Sequence, residues 1–243
     1  MLPVRDINPT RRLPIVTWGL IAINVVVFLW ELSLSESQLT NVFRTLSVVP
    51  ALASANPLSV ETFLDVLRNM FFHGGWEHIL GNMLYLFLFG DNIEDRFGIP
   101  LYLVIYFVSG FVAAFAQVII DPGSSIPLVG ASGAIAGILG SYLILYPNVR
   151  VLALIPLGYL SSLREVPALI VLGLWFVLQL VSGFGSLGAA EYGGGVAFFA
   201  HIGGFIAGVV LTLILNGMTH QPPASERVHQ VEDRAMRRIQ RYN

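Results

Sequence analysis

A serine and a histidine stand at the beginnings of two long apolar segments of the chain. Ser132 lies in Gly-Ala-Ser-Gly at residues 130–133, and His201 lies in Ala-His-Ile-Gly-Gly at residues 200–204. A serine beside glycines at a helix start has an uncrowded hydroxyl, and the free backbone N–H groups around it can stabilise an oxyanion. If the two segments touch, His201 can hydrogen-bond Ser132 Oγ and activate it as a nucleophile. An N-cap serine and a histidine bonded to a backbone carbonyl are the simpler alternatives.

Small residues recur at every fourth position in both segments. They are Gly133 and Gly137 in the earlier segment, and Ala200, Gly204 and Gly208 in the later one. Such spacing lets two helices approach each other closely in a membrane. The pattern therefore predicts the contact that the serine and the histidine would need.

A histidine and an asparagine lie one helical turn apart in another apolar segment. His78 and Asn82 are at i and i+4, so their side chains face the same side of a helix. Both could donate hydrogen bonds to a developing negative charge, or they could form a structural clamp between helices. His73 lies off that face and is expected to brace the preceding loop. The spacing does not match a His-Glu-x-x-His zinc site, so no metal is predicted; three histidines meeting around a metal stay an alternative.

The composition places these residues in a membrane protein. The chain has 243 residues, 55% hydrophobic and 12% charged, whereas an average soluble domain is about 25% charged. The net charge of −2 provides no attractive field for nucleic acid. The absence of cysteine excludes disulfides and a thiol nucleophile. We therefore predict a multi-pass integral membrane protein that contacts the lipid bilayer and no nucleic acid.

Six apolar segments predict helices that cross the bilayer. The predicted fold is all-α, a compact bundle of six transmembrane helices, with spans at residues 15–32, 76–90, 101–120, 128–146, 166–182 and 196–215. Residues 1–14 and 216–243 are predicted to be tails. The first segment is predicted to be a retained helix, because no small-residue cleavage site follows it.

The distribution of arginine predicts the orientation, because cytoplasmic loops are rich in basic residues. All thirteen basic residues are arginines, and with six spans eleven of them fall on the side of the termini. The opposite side has only Arg44 and Arg68. Both termini are therefore predicted to be cytoplasmic, and the membrane is expected to be a bacterial plasma membrane.

The segments between the spans, and the single polar residues within them, carry further expectations. Residues 57–72 predict an amphipathic helix that lies in the outer interface or packs on the bundle. Residues 151–160 are too short to cross and are predicted to be a loop at the interface. Residues 183–195 hold six glycines and predict a mobile outer loop. Single polar residues are expected to hydrogen-bond neighbouring helices, namely Asn24, Ser109, Gln117, Ser141 and Gln179.

Together, the motifs resemble the rhomboid family of intramembrane serine proteases. The match comprises His-Gly-Gly-Trp-Glu-His-Ile-Leu-Gly-Asn at residues 73–82, Gly-Ala-Ser-Gly at 130–133 and Ala-His-Ile-Gly-Gly-Phe-Ile-Ala-Gly at 200–208. Their order, spacing and placement on the second, fourth and sixth spans agree with the family over roughly residues 15–215. The resemblance implies a bundle of six helices around a water-filled cavity open to the outside.

The resemblance also implies an activity and a role for each site residue. It implies an endopeptidase that cuts transmembrane segments of membrane-protein substrates near their outer end. Ser132 would be the nucleophile and His201 the general base, without an acidic third member. His78, Asn82 and the backbone N–H of Ser132 would form the oxyanion hole. No metal or other cofactor is implied, and the oligomeric state stays open. The fifth span and the predicted outer loop could gate substrate entry.

Two positions depart from the family pattern. Many members have Trp-Arg in the first outer loop where this chain has Leu64 and Asp65, so another anchor is expected for that loop. Some members have a tyrosine that stacks on the catalytic histidine where this chain has Ala136. The imidazole is therefore expected to lack that support.

Two other functions stay as alternatives. A non-catalytic rhomboid-like protein that binds or escorts membrane clients would not need Ser132. A small transporter could use His201 to relay protons, but the agreement of the motifs and the lack of carboxylates in the fourth and sixth spans count against it.

Overall fold

The fold is a helical bundle built around one apolar helix. The computed structural model describes residues 1–157, 160–186 and 197–218. Its helices are α1 (Ile15–Glu31), α2 (Glu36–Leu46), α3 (Pro50–Ala55), α4 (Val60–Asn69), α5 (Trp76–Ile120), α6 (Ser132–Leu145), α7 (Ala168–Ser186) and α8 (Phe198–Leu215). Helix α6 is apolar on all sides, and its residues 133–142 are all buried. It packs against α5, α7 and α8, which makes it the centre of the bundle.

Several of these helices are suited to a membrane. Within the described residues, three are long and apolar enough to cross one: α5, α7, and α8 with the short 3₁₀ turn Asn216–Met218. Helices α1 and α6 are also apolar but have only 17 and 14 residues. The chain is thus mostly helical, with apolar helices of membrane-spanning length, and the count of six spans stays a prediction.

Helix α5 contains the second and third predicted spans, with a break between them. Gly98 has φ 72° and ψ 171°, in the region of positive φ that favours glycine. Pro100 follows two residues later and has no backbone N–H to donate to the preceding turn. The first half therefore runs beyond its predicted end at residue 90, and the second half includes Pro100 instead of starting after it.

Helix α6 begins later than its predicted start at residue 128. The backbone N–H of Leu128 donates to the carbonyl of Val48 at 2.8 Å in an isolated antiparallel bridge. Gly130 has φ 126°, which residues with a Cβ rarely adopt. Because this connection is extended, α6 begins only at Ser132.

The predicted amphipathic helix at residues 57–72 is present as the shorter α4. The ring of Phe63 packs on the second half of α5, with centroids 5.7 Å from Phe111 and 6.2 Å from Phe115. Val60 and Leu67 are exposed on the same helix. Helix α4 therefore packs on the bundle and also presents an apolar surface outward.

The prediction of an all-α protein is wrong, because the chain also contains a three-stranded antiparallel sheet. Strand β1 (Leu2–Asp6) pairs with β2 (Arg150–Leu157), which pairs with β3 (Leu160–Pro167). The region predicted as an interfacial loop at residues 151–160 thus belongs mostly to a hairpin, of which residues 158 and 159 lie outside the described part.

Burial alternates along β2, as it does in a strand that has one face covered. Val151 and Ala153 are buried on one face of β2, as alternate residues of a half-buried strand are. A short apolar run does not distinguish a strand from a loop by composition alone. Because β3 continues to Pro167, α7 begins at Ala168 and not at the predicted residue 166.

Asp6, at the end of β1, connects the sheet to the bundle. Tyr142 Oη donates a hydrogen bond of 2.6 Å to Asp6 Oδ2, and Asn92 Nδ2 donates to the same oxygen at 3.1 Å. The predicted tail at residues 1–14 therefore holds a strand and a polar anchor. Burial raises the pKa of Asp6 to about 7, against the opposing effect of the hydrogen bond from Tyr142, and the neighbouring Asp91 raises it further.

The raised pKa of Asp6 predicts that folding stability falls as the pH rises. The folded protein retains a proton that the unfolded chain, with an ordinary pKa of 3.8, releases. The stabilisation is complete below about pH 4 and is lost as the pH passes through 7. We expect Asp6→Asn to remove this part of the pH dependence in thermal unfolding in detergent between pH 5 and 8. The exposed Asp121→Asn is the control and should keep the wild-type profile; an unchanged profile in Asp6→Asn would contradict the assignment.

The other predicted tail and the predicted outer loop are described only in part. Residues 219–243 and residues 187–195 lie outside the described residues. Residues 183–186 of the predicted loop belong to the last turn of α7.

Candidate active site

The serine and the histidine singled out from the sequence are hydrogen-bonded to each other. His201 Nε2 lies 2.7 Å from Ser132 Oγ. Ser132 is the first residue of α6, and His201 lies in the first turn of α8. An imidazole nitrogen at this distance can accept the hydroxyl proton, which is the geometry of an activated serine nucleophile.

Glycines bring α6 and α8 close enough for this contact. A Cβ at Gly204 would collide with the carbonyl oxygen of Gly133, and a Cβ at Gly208 would collide with that of Gly137. The predicted small-residue face of α8 therefore packs directly on the backbone of α6. Gly133 itself faces another neighbour, because a Cβ there would lie 2.5 Å from Ala113 Cβ on α5.

His78 and Asn82 converge on the turn before Ser132. A Cβ at Gly130 would lie 2.6 Å from His78 Nε2 and 3.6 Å from Asn82 Nδ2. The carbonyl of Asn69 accepts the backbone N–H of Gly130 at 2.9 Å and holds this turn in place. Glycine is thus favoured at residue 130 both by its φ and by the close approach of the His78 ring.

Both side chains present hydrogen-bond donors at this turn. The backbone N–H of Gly74 donates to His78 Nδ1 at 3.3 Å, so in the neutral ring the proton lies on Nε2, the atom next to Gly130. Asn82 is buried, and its Nδ2 has no hydrogen-bond partner within the described residues. A buried donor without a partner has a large desolvation cost, which an incoming negative charge would offset.

Glu31 supplies the anchor for the first outer loop. Its carboxylate accepts the backbone N–H of His73 at 3.1 and 3.3 Å, and the residue is only 2% exposed. Leu64 and Asp65 stand where the family that the motifs resemble often has Trp-Arg, and Asp65 bonds Arg68 of its own helix at 3.1 Å. The loop is therefore held at its base by α1, a pairing across 42 residues that sequence analysis did not identify.

His73 braces this loop, as its position off the face of His78 suggested. Its ring is buried, with the centroid 5.1 Å from that of His78, and Nδ1 lies 3.3 Å from the carbonyl of Phe71. Burial lowers the pKa of His73 to about 4, so the ring is neutral at physiological pH. No three His, Asp, Glu or Cys side chains in the described residues lie close enough together to hold a metal ion.

Helix α7 contributes two side chains to His201 that sequence analysis did not assign to the site. Gln179 Oε1 lies 2.8 Å from His201 Nδ1, and the ring centroid of Trp175 lies 5.9 Å from that of the imidazole. Ala136 provides no aromatic ring beside the imidazole, but Trp175 of α7 provides one instead. A lone amide in an otherwise apolar helix was the only signal of this role in the sequence.

A small cavity adjoins the serine. It has a volume of about 30 Å³ and lies between the end of α4, the second half of α5 and the starts of α6 and α8. Its lining includes Met70, Gly110, Val129 and Ala200 as well as Ser132. The cavity that Ser132 helps to line is thus small, and most of its lining residues are apolar.

Comparison with known proteins agrees with this architecture. Residues 61–217 match the family model described as the Rhomboid domain. RHOMBOID-like protein 5 of Arabidopsis thaliana is 31% identical over 143 residues, which cover 59% of this chain and 41% of the relative. Rhomboid-like protease 3 of Toxoplasma gondii is 25% identical over 213 residues, 88% of this chain and 73% of the relative. Rhomboid protein 1, mitochondrial, of Saccharomyces cerevisiae is 26% identical over 198 residues, 79% of this chain and 51% of the relative.

These matches establish the family without transferring the activity of any one relative. The chain spans 41% and 32% of the length of two Arabidopsis relatives, RHOMBOID-like proteins 5 and 4. The matched domain nevertheless covers more than half of this chain and includes both Ser132 and His201. The chain therefore belongs to the rhomboid family.

Proposed function

We propose that this protein is an intramembrane serine endopeptidase that cleaves transmembrane segments of membrane proteins near the outer face of the membrane. The observation that carries the proposal is the 2.7 Å contact of His201 Nε2 with Ser132 Oγ at the ends of two closely packed apolar helices. The donors that converge on Gly130 support it. Family membership adds support, because relatives such as the one from Toxoplasma gondii are named proteases.

The reaction uses only groups of the chain, the substrate and water. Ser132 Oγ attacks the scissile carbonyl carbon while His201 Nε2 accepts the hydroxyl proton. His78, Asn82 and the backbone N–H of Ser132 stabilise the oxyanion of the tetrahedral intermediate. The C–N bond breaks as His201 gives its proton to the leaving amine. A water molecule, deprotonated by His201, then hydrolyses the acyl-enzyme and restores the serine.

The substrate class follows from the location and the size of the site. A peptide bond within a helix has its carbonyl engaged in an i to i+4 hydrogen bond, so the substrate must unwind locally before attack. Segments with helix-breaking or small residues near the cut should be cleaved best. The cavity of about 30 Å³ beside Ser132 suits a small side chain better than an aromatic one.

The proposed setting is a bacterial plasma membrane with both termini in the cytoplasm. The arginine distribution supports this orientation through the bias of basic residues toward cytoplasmic loops. The proposed partners are the lipid bilayer and transmembrane protein substrates. No metal or other cofactor has a part in the reaction.

A non-catalytic function in binding or escorting membrane clients is the second candidate. It is favoured by one observation, that several relatives from Arabidopsis thaliana are named only as rhomboid-like proteins. Such a protein would have no use for an activated serine.

Labelling with a fluorophosphonate probe distinguishes the two functions. We expect the full chain in detergent to be labelled covalently and Ser132→Ala to be unlabelled, because only an activated serine attacks the phosphorus. EDTA should change neither labelling nor cleavage. Ser141→Ala is the matched control, since Ser141 lies on the same helix and, among the residues that the structure describes, bonds the carbonyls of Gly137 and Gly208. Equal labelling of Ser132→Ala and the wild type, or activity lost to EDTA and restored by zinc, would contradict the proposal.

A further inference from the structure

The second ring nitrogen of His201 has a partner whose chemistry decides the tautomer. A neutral imidazole carries one N–H and one lone pair. For Nε2 to accept the proton of Ser132, the ring proton must lie on Nδ1, and Nδ1 then needs an acceptor. The side-chain carbonyl of Gln179 is such an acceptor at 2.8 Å. The contact therefore selects the one tautomer in which His201 can serve as a base.

The same contact favours the protonated ring that forms during the reaction. Once Nε2 has taken the serine proton, the imidazolium donates from both nitrogens, and the negative end of the amide dipole of Gln179 already faces Nδ1. An amide provides this stabilisation without a second buried charge, whose desolvation in a membrane interior would be costly. Gln179 thus occupies the place beside Nδ1 where a catalytic triad has its acidic residue, but it carries no charge.

Both supports of His201 come from one face of α7. Trp175 and Gln179 are at i and i+4, one turn apart. Helix α7 is also the least buried of the three long apolar helices. In its most apolar 18-residue stretch 22% is buried, against 39% in the corresponding stretches of α5 and α8. The groups that orient the base therefore lie on the least buried of these three helices.

We propose that Gln179 is a positioning residue that holds His201 in its base-competent tautomer, and that the competence of the Ser132–His201 pair therefore depends on where α7 lies. This inference rests on the proposed function of that pair. An outward displacement of α7 removes the acceptor and the indole ring together, so the site loses its oriented base when this helix moves away.

The test compares Gln179→Leu with the wild type in the full chain in detergent. Leucine has a similar size but no acceptor, so kcat should fall on the order of 10-fold, the value of one neutral hydrogen bond, with KM unchanged. Gln179→Glu keeps an acceptor at the cost of a buried charge, so it should recover part of the kcat that Gln179→Leu loses. Gln117→Leu is the matched control: it makes the same change in α5, where Gln117 Oε1 has no hydrogen-bond partner within the described residues.

A spectroscopic measurement tests the inference without activity. The chain has five histidines, so ¹⁵N NMR of histidine-labelled protein can resolve His201, assigned from its loss in His201→Ala. The wild type should show the proton on Nδ1, and Gln179→Leu should shift the ring toward the Nε2–H form. A wild-type ring with its proton on Nε2, or an unchanged tautomer and kcat in Gln179→Leu, overturns the inference. Cleavage by Ser132→Ala would instead overturn the proposed function. The NMR measurement would still show the tautomer of His201, so the two failures are distinguishable.

Discussion

Replacing Ser132 with alanine is expected to abolish cleavage of a reporter protein with a transmembrane segment, while expression and thermal stability stay near the wild-type values. The methyl group keeps the helix start but removes the nucleophile that His201 contacts at 2.7 Å. Losing the serine or the histidine of such a unit lowers kcat by about 10⁶-fold in a soluble serine protease. The measurement is initial cleavage rate in proteoliposomes that contain the enzyme and the reporter.

The pair should behave as a unit in a double-mutant comparison. His201→Ala is expected to be as inactive as Ser132→Ala, and the double variant should be no worse than either single variant, because each change already removes the whole step. Ser141→Ala controls for the loss of a buried hydroxyl from the same helix and should retain activity. Substantial cleavage by Ser132→Ala would show that the serine is not the nucleophile.

Replacing Gly204 with leucine is expected to abolish the proposed cleavage without changing Ser132 or His201. A Cβ alone at residue 204 collides with the carbonyl oxygen of Gly133, so the larger side chain must push α8 away from α6. A displacement of about 1 Å at a reacting pair costs on the order of 10²-fold in rate. Activity and thermal unfolding in detergent should be measured together, and both should fall.

Gly19→Leu is the matched control for this substitution. In the described structure, a Cβ at Gly19 would lie more than 4 Å from every atom outside its chain neighbours and the adjacent backbone of α1, so leucine there should leave both activity and stability close to the wild type. If Gly204→Leu were folded and fully active, the close packing of the two helices would not be what positions His201. Gly204→Ala is a milder version and should have an intermediate effect.

Much of the site could be predicted from local patterns. Ser132, His201, His78 and Asn82 are polar groups in apolar segments, where such groups are costly and usually have a purpose. The spacing of Gly204 and Gly208 indicated a close helix–helix contact, which the packing of α8 on the backbone of α6 confirms. The predicted small-residue face of α6 instead turns toward α5, because a Cβ at Gly133 or Gly137 would meet that helix first.

The extent of each helix was harder to predict because tertiary contacts and single backbone conformations move the ends. The break in α5 depends on the positive φ of Gly98. The late start of α6 depends on the pairing of Leu128 with Val48, 80 positions earlier. Hydropathy detects both apolar stretches, but it does not detect the hydrogen bonds that decide where helical geometry begins.

The pairing of β1 with β2 could not be predicted because it is remote in sequence. Residues 2–6 pair with residues 151–154, so no local pattern connects them. An isolated apolar run with an internal proline is compatible with a loop or an edge strand. Pairing with β1 makes this segment a strand, and Asp6 then connects the sheet to Tyr142 of α6 by a hydrogen bond.

By itself, the sequence determined which segments are apolar enough for a membrane protein, that three motifs resemble the rhomboid family, and which serine and histidine are candidates for catalysis. These features are local, because composition, periodicity and short motifs can be read without knowledge of the fold. Only the tertiary structure decided that Gln179 contacts His201 across 22 residues and that Glu31 anchors His73 across 42. Such contacts depend on the rotation and depth of each helix against its neighbour, and many side chains along an apolar helix could equally have faced the site.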